Sequence, residues 1–170
     1  PSKTGAQGFD YRTISQPGGP FNLPTNLALS PEGEMYVSDG YGNCRVHKFS
    51  PAGELLFSWG QMGDEPGQFH VPHGIGVDSR GRVFVADREN SRLQIFTSAG
   101  EFVDQWTDLV RPCQVFVDLQ DNVFVAELGR RAGMFPWMTP DLVSTGGRVS
   151  IFNRLGELQA RWGGGKDPMS

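Results

Sequence analysis

Two side chains with the chemistry to bind a metal or move a proton stand at the edges of a repeated pattern. His73 follows Pro72 at the head of an apolar segment, and Tyr41 follows the second apolar segment of the preceding repeat. Neutral imidazole is the commonest metal ligand, and a phenol beside a cation or a metal can act as a general base. Each residue also has an ordinary interpretation. His73 would be a turn residue that donates to a backbone carbonyl, and Tyr41 would be a packed aromatic.

A zinc site needs three or four ligands, and the sequence places few of them near His73. Cys113 occupies the same position in the next repeat and is a weak second candidate. His47 lies inside a segment predicted to be a strand, and His70 lies upstream of the repeated position, so neither belongs to the set. We therefore expect one metal ligand, His73, and no complete metal site within this chain alone.

The elements that must position these residues occur three times in the chain. Each copy has a short apolar strand, a turn and a second strand ending in polar or charged residues. The equivalent positions Thr25, His73 and Cys113 are 48 and 40 residues apart. Two further strands follow, and a tryptophan closes each copy: Trp59, Trp106 and Trp162. Four short strands in a unit of this length are typical of a propeller blade.

The repeats divide the chain into a lead-in, three blades and a tail. We predict an all-β propeller array with the lead-in at 1–20, blades at 21–60, 61–107 and 108–163, and a tail toward a further blade at 164–170. Propellers close with about four to eight blades. Three blades therefore predict a partial propeller, or half of a six-bladed ring that two copies of the chain close as a homodimer.

The predicted sheets bring the chemical residues to one face. In an antiparallel pair, the head of one strand lies beside the end of the next. Two sets of residues should therefore meet at the mouth of the central channel: Thr25, His73 and Cys113 with residues 39–41, 87–90 and 127. An insertion at 128–147 lies on the same face, and we predict that it folds over the mouth as a lid. Its side chains include Arg130, Arg131, Met134, Phe135, Trp137 and Met138.

Composition excludes several other classes of function. The net charge of −4 and the pI near 5.3 argue against nucleic acid as a partner, because nucleic-acid binders usually carry a basic face. No apolar run approaches the roughly 20 residues of a membrane helix, and residues 1–5 lead into no signal-peptide core. Cys44 and Cys113 stand at different points of different repeats, so we expect free thiols. These features leave the compartment undetermined.

Three segments, 37–45, 66–73 and 85–92, resemble NHL-repeat propellers. More closely, they look like the central blades of peptidyl-α-hydroxyglycine α-amidating lyase and its bacterial NHL relatives. The resemblance is close over residues 20–107, and the third blade is more similar to the bacterial branch. It implies a six-bladed propeller with a catalytic zinc on three histidines and a structural calcium. That family cleaves a peptidyl-hydroxyglycine into an amidated peptide and glyoxylate.

The resemblance also implies roles for individual residues. His73 matches one of the three zinc histidines, Tyr41 matches the catalytic tyrosine that takes the substrate's hydroxyl proton, and Arg88 matches an arginine near the cavity. The other two zinc histidines, another cavity arginine and the calcium ligands fall outside these 170 residues. Asn22 and Gly42 stand where the animal enzyme has a disulfide, and the joint loss of both cysteines suits a bacterial or reducing setting.

Two functions remain open from the sequence. The first is a zinc lyase-like propeller that is incomplete or inactive as this chain alone. The alternative is a non-catalytic NHL scaffold that binds a peptide, a protein or a small ligand in the central channel.

Overall fold

The computed structural model describes residues 13–14, 20–132 and 144–165. Within these ranges the chain forms twelve β-strands and no α-helix. The strands make three four-stranded antiparallel sheets, and neighbouring strands within each sheet are consecutive in the chain. The predicted all-β array of three blades is confirmed, and it is an unclosed partial propeller.

The strands of the three blades have the following bounds. Blade 1 contains β1 (Asn26–Leu29), β2 (Met35–Asp39), β3 (Arg45–Phe49) and β4 (Leu55–Trp59). Blade 2 contains β5 (Pro72–Val77), β6 (Val83–Asp87), β7 (Arg92–Phe96) and β8 (Phe102–Trp106). Blade 3 contains β9 (Pro112–Val117), β10 (Val123–Glu127), β11 (Arg148–Phe152) and β12 (Leu158–Gly163).

Burial along the strands follows from the position of each blade in the array. Every residue of β6 and β7 is buried, because blade 2 packs between two neighbours. In β10, by contrast, buried residues alternate with half-buried ones. Successive side chains of a strand point to opposite faces, so this alternation means that blade 3 is covered on one face only.

Tryptophan stacking joins each blade to the next. The Trp59 ring lies 5.7 Å from that of Phe96 in blade 2, and the Trp106 ring lies 4.8 Å from that of Phe152 in blade 3. The third tryptophan of the pattern, Trp162, is 62% exposed. Its ring therefore lies on the open flank of blade 3.

The two end blades both present apolar surface. On blade 1, Leu27 and Leu29 are exposed, beside a cavity of about 370 Å³ lined by Phe21, Met35 and Val37, among others. On blade 3, Phe116 is 61% exposed and stacks on Phe124 within its own sheet. These are the faces that a neighbouring blade covers elsewhere in the array.

Several sequence predictions fall on residues that the structure does not describe. They are most of the lead-in, the lid residues Met134, Phe135, Trp137 and Met138, and most of the tail. Both cysteines are free thiols, as expected, and burial raises the pKa of Cys44 to about 12. No helix among the described residues is long and apolar enough to cross a membrane.

The stacking predicts very different effects for two chemically identical substitutions. Trp106→Ala should lower the free energy of unfolding by about 3 kcal/mol, because it removes the ring that packs on buried Phe152. Trp162→Ala should change it by less than about 0.5 kcal/mol, because that ring is mostly solvated. Urea denaturation of both variants, with the monomeric state checked by light scattering, measures the difference. Equal losses in the monomer would contradict the assigned packing.

Candidate functional site

The candidate site lies where the inner strands of blades 1 and 2 meet. At Gly40 a Cβ atom would overlap the carbonyl oxygen of Pro72, so only glycine permits this approach. Thr25 Oγ1 donates to the same carbonyl at 2.8 Å, and Ser38 Oγ donates to the carbonyl of His73 at 2.8 Å. The end of β2 is therefore fixed against the head of β5, and Tyr41 is brought beside His73.

The residue before proline has a left-handed backbone at the head of every inner strand. The φ angles are 69° at Leu23, 58° at Val71 and 51° at Arg111. This conformation costs a residue with a side chain roughly 1–2 kcal/mol. Because the left-handed conformation recurs in all three blades, packing of the array must enforce it, and strain of this kind is often concentrated at functional sites. At Val71, this conformation sets the direction in which the backbone enters the channel wall at His73.

Tyr41 and His73 form a hydrogen-bonded pair across the blade boundary. Tyr41 Oη lies 3.1 Å from His73 Nε2, and the two rings meet edge to face with centroids 5.6 Å apart. His73 Nδ1 lies 2.7 Å from the carbonyl oxygen of Cys113. Because a carbonyl only accepts, Nδ1 carries the proton, and in the neutral ring Nε2 accepts from the tyrosine hydroxyl. The ordinary interpretation of His73 as a donor to a backbone carbonyl is thus correct for one nitrogen, and it leaves the other nitrogen basic.

The surroundings of His73 favour its neutral form. Burial lowers the pKa of His73 below its usual range, and the nearby positive charge of Arg88 lowers it further. The hydrogen bond to the Cys113 carbonyl and the charge of Glu89 oppose this effect without reversing it. A neutral imidazole with a fixed tautomer has the form that a metal ligand requires.

Arg88 completes the cluster on the tyrosine. Its Nη1 donates to Tyr41 Oη at 3.0 Å, and its guanidinium carbon lies 5.2 Å from the centroid of the Tyr41 ring. The structure therefore brings together all three residues singled out from the sequence, with one from blade 1 and two from blade 2. Positive charge next to a phenolic oxygen stabilises negative charge that develops there during proton transfer.

Glu89 holds Arg88, and Arg111 holds Glu89. Sequence reasoning gave neither residue a role. Arg88 Nε and Arg111 Nη2 both donate to Glu89 Oε1, each at 2.8 Å. Burial raises the pKa of Glu89, but the bonds from Arg111 and Arg88 outweigh it, so the net shift is downward and the carboxylate is ionised. One signal could have revealed Arg111, since it stands before proline where the other blades carry Leu23 and Val71.

Other residues expected on this face have mainly structural contacts. Thr25 bridges blades 1 and 2 through its hydroxyl. Cys113 contributes its carbonyl oxygen to His73, while its thiol donates weakly to the carbonyl of Ala126 at 3.4 Å and has a pKa raised by burial. The carboxylate of Glu127 accepts from Arg148 at 2.8 Å and from Ser150 at 2.5 Å, within blade 3.

His47, one of the two histidines excluded on sequence grounds, has structural partners within blade 1. His47 is fully buried, with Nδ1 2.7 Å from Ser58 Oγ and Nε2 3.2 Å from Asp39 Oδ2. Over residues 13–14, 20–132 and 144–165, no three His, Cys, Asp or Glu side chains are grouped so that they could hold a metal ion. His73 therefore has the geometry of one ligand, and the described residues do not complete a zinc site.

Two further features lie beside the cluster. Asn22 and Gly42, the positions where the resemblance implies a cysteine pair in the animal enzyme, are neighbours: Asn22 Nδ2 donates to the carbonyl of Gly42 at 2.7 Å. The base of the blade 3 insertion is held by paired backbone hydrogen bonds between Arg130 and Thr145, and Arg130 Nη2 donates to Ser91 Oγ at 3.2 Å. The insertion thus leaves blade 3 next to the turn that carries Arg88.

Comparisons with known proteins match part of the chain to one repeat family and to named relatives. Residues 69–96, which contain His73 and Arg88, match the family model for the NHL repeat. Blade 2 contains an NHL repeat. The chain is 42% identical over 100 residues to peptidyl-glycine alpha-amidating monooxygenase B of Xenopus laevis. The aligned region covers 53% of this chain and 11% of that protein. It is 39% identical over 103 residues to peptidyl-alpha-hydroxyglycine alpha-amidating lyase 1 of Drosophila melanogaster, with coverage of 54% and 19%.

A solved structure supports the architecture alone. The WD40 repeats of RRP9 superpose on 88% of this chain and 41% of that chain with a TM-score of 0.64, at 14% sequence identity. Because the chain spans only 11% and 19% of the two relatives above, their similarity concerns part of each protein. The chain is a propeller array with an NHL-repeat match in blade 2, and about half of it is similar to the amidating lyases.

Gly40 provides a test of the blade boundary. Gly40→Ala should lower the free energy of unfolding by about 1–3 kcal/mol, because the added methyl group forces blade 1 away from the Pro72 carbonyl. Gly147→Ala is a matched control, since a Cβ there meets its nearest atom, the Glu127 carbonyl oxygen, at an ordinary 3.5 Å. Denaturant titration measures both changes. A Gly40→Ala chain as stable as the control would refute the close approach.

The lowered pKa of His73 predicts a pH dependence of stability. The unfolded chain has the ordinary histidine pKa near 6.5 and the folded chain a lower one, so below pH 6.5 the unfolded state binds more protons. The His73 contribution to the free energy of unfolding should therefore fall as the pH drops from 7.5 to 5.5, so the unsubstituted chain should lose more stability, or gain less, than His73→Gln. His70, whose pKa burial also lowers, and Asp87, whose pKa burial raises to about 6, act with opposite signs and contribute equally to both profiles. Denaturation with a chelator present measures both profiles, and parallel profiles would contradict the prediction.

Proposed function

We propose that Tyr41, His73 and Arg88 form one wall of a peptidyl-α-hydroxyglycine lyase site that further blades complete. The observation that carries the proposal is the hydrogen-bonded sequence Arg88–Tyr41–His73 across the boundary of blades 1 and 2. The named relatives supply the reaction class, and the match includes the blade that carries two of the three residues.

Each residue has a distinct task in this proposal. His73 would present Nε2 as one ligand for a zinc ion in place of the Tyr41 hydroxyl, with its other nitrogen held by the Cys113 carbonyl. Tyr41 would then release its phenolic proton to solvent, and Arg88 would stabilise the resulting phenolate. The Tyr41 phenolate accepts the proton of the substrate's α-hydroxyl group. A bound zinc would supply Lewis-acid polarisation of the substrate oxygen. Its remaining ligands, and any calcium site, would come from outside the described residues.

We further propose that additional blades cover the two open flanks and close the ring. Among the described residues, Phe49 has Phe21 at 5.6 Å and no tryptophan in the place that Trp59 takes beside Phe96, while Trp162 on blade 3 is exposed. These flanks are complementary in position, so a second copy could close a six-bladed ring, and so could further blades of a longer chain. The central channel would then receive the peptide or small-molecule ligand.

The proposed function is tested on a protein with a complete ring, and light scattering of the 170-residue chain first shows whether two copies suffice. With zinc bound, it should convert a peptidyl-α-hydroxyglycine to the amide and glyoxylate. Tyr41→Phe should lower kcat by about 10²–10⁴-fold, the usual size of a general-base contribution. His73→Ala should lose zinc, measured by elemental analysis. Gly147→Ala, a conservative change at the foot of the insertion, is the control that should retain both.

Two outcomes would reject the lyase. One is a closed ring that contains neither zinc nor activity, and the other is full turnover by Tyr41→Phe. The second candidate, a non-catalytic scaffold, is favoured by the protein partners that both ring nitrogens of His73 already have, Tyr41 Oη and the Cys113 carbonyl. It would be supported if a channel ligand still binds after His73→Ala.

A further inference from the structure

A chain of hydrogen bonds extends the candidate site into blade 3. Arg111, the residue before Pro112, donates to Glu89, and Glu89 also accepts from Arg88, which donates to Tyr41. The sequence motifs single out only Arg88 and Tyr41 in this hydrogen-bonded series. Glu89 and Arg111 explain how the long, flexible side chain of Arg88 is held on a tyrosine of another blade.

We propose that Glu89 and Arg111 are positioning residues of this site. Glu89 holds the Arg88 guanidinium on the phenol of Tyr41, and Arg111 holds Glu89 from the third blade.

One carboxylate oxygen of Glu89 accepts hydrogen bonds from two arginines. Arg88 Nε and Arg111 Nη2 both lie 2.8 Å from Glu89 Oε1, and the three side chains are 90% or more buried. Two guanidinium groups converging on one oxygen would repel each other if the negative charge were absent, and burial limits screening of that repulsion. Removal of the Glu89 charge should therefore displace Arg88 from Tyr41.

The backbone on both sides of the carboxylate is anchored. The amide of Glu89 donates to the His70 carbonyl at 3.0 Å, and the amide of Arg88 donates to the Val71 carbonyl at 3.3 Å. On blade 3, the Arg111 amide donates to Ser91 Oγ at 3.2 Å, with its backbone held left-handed. Both ends of the ion pair thus start from fixed positions, as residues that set the geometry of a site must.

A similar arrangement at another position in the array provides a matched control. Lys48 Nζ lies 5.3 Å from the centroid of the Tyr36 ring and 2.8 Å from Glu34 Oε2, and Tyr36 donates to the same Glu34 oxygen at 3.3 Å. A cation, a carboxylate and a tyrosine are again combined, but away from His73. Substitution of Lys48 should disturb Tyr36 and leave Tyr41 unchanged.

The test measures the environment of each tyrosine directly, by NMR. Only the catalytic importance of the positioning rests on the proposed function. The chain has three tyrosines, so ¹³C-tyrosine labelling gives three Cζ signals, and Tyr41→Phe identifies one of them. We expect Glu89→Gln and Arg111→Met each to shift the Tyr41 signal while the Tyr36 signal stays in place. Lys48→Met should give the opposite pattern. Arg111→Lys, which keeps a cation near Glu89, should restore much of the Tyr41 position.

Folding and activity are followed separately from the tyrosine signals. If Glu89→Gln unfolds, Glu89→Asp takes its place, because it keeps the charge and withdraws it by one carbon, and it should still shift Tyr41. An unmoved Tyr41 signal in folded Glu89 and Arg111 variants would overturn the proposal, whether or not a completed ring turns over substrate. Where turnover is present, Arg111→Met should lower kcat on the order of 10-fold, as losses of supporting contacts commonly do, and Lys48→Met should not.

Discussion

Burial of one blade face against the next is the constraint on which the structure depends. A four-stranded sheet with two apolar faces cannot remain alone in water, and each blade here relies on a neighbour. Blade 2 has two, and its middle strands are buried throughout. The aromatic contacts Trp59–Phe96 and Trp106–Phe152 repeat the same arrangement at both boundaries. Everything at the channel mouth follows from the way these boundaries bring inner strands together.

The polar interactions at the mouth use the same boundaries for another purpose. Gly40 removes a side chain so that one backbone can approach another, and Thr25 and Ser38 satisfy the carbonyls exposed by that approach. Charge is then concentrated in a small volume, with Arg88 and Arg111 on one carboxylate. Apolar packing fixes the distance between blades, and hydrogen bonds fix the orientation of the groups that could react.

The sequence was sufficient for the architecture and for part of the site. Period-two alternation, turn residues and the recurring tryptophans predicted twelve strands in three sheets, because those features depend on local geometry and repeat spacing. That Tyr41 and His73 share one face was also expected from the antiparallel order of the strands. The role of Glu89 was not, because it depends on which of several adjacent polar side chains turns inward. Arg111 was missed because its partner lies on another blade: its charge before Pro112 is unusual among the repeats, but the repeat pattern does not show which residue it contacts.

The location of the cluster at a boundary has a consequence for how such a site could arise. Tyr41 belongs to blade 1, His73 and Arg88 to blade 2, and Arg111 to blade 3. Duplication of a single repeat within the gene would copy at most two of these groups and would place them against a different neighbour. The cluster can therefore be inherited only as a set of adjacent repeats. Within each repeat, the residues at the boundary with the next blade are the ones that the cluster constrains.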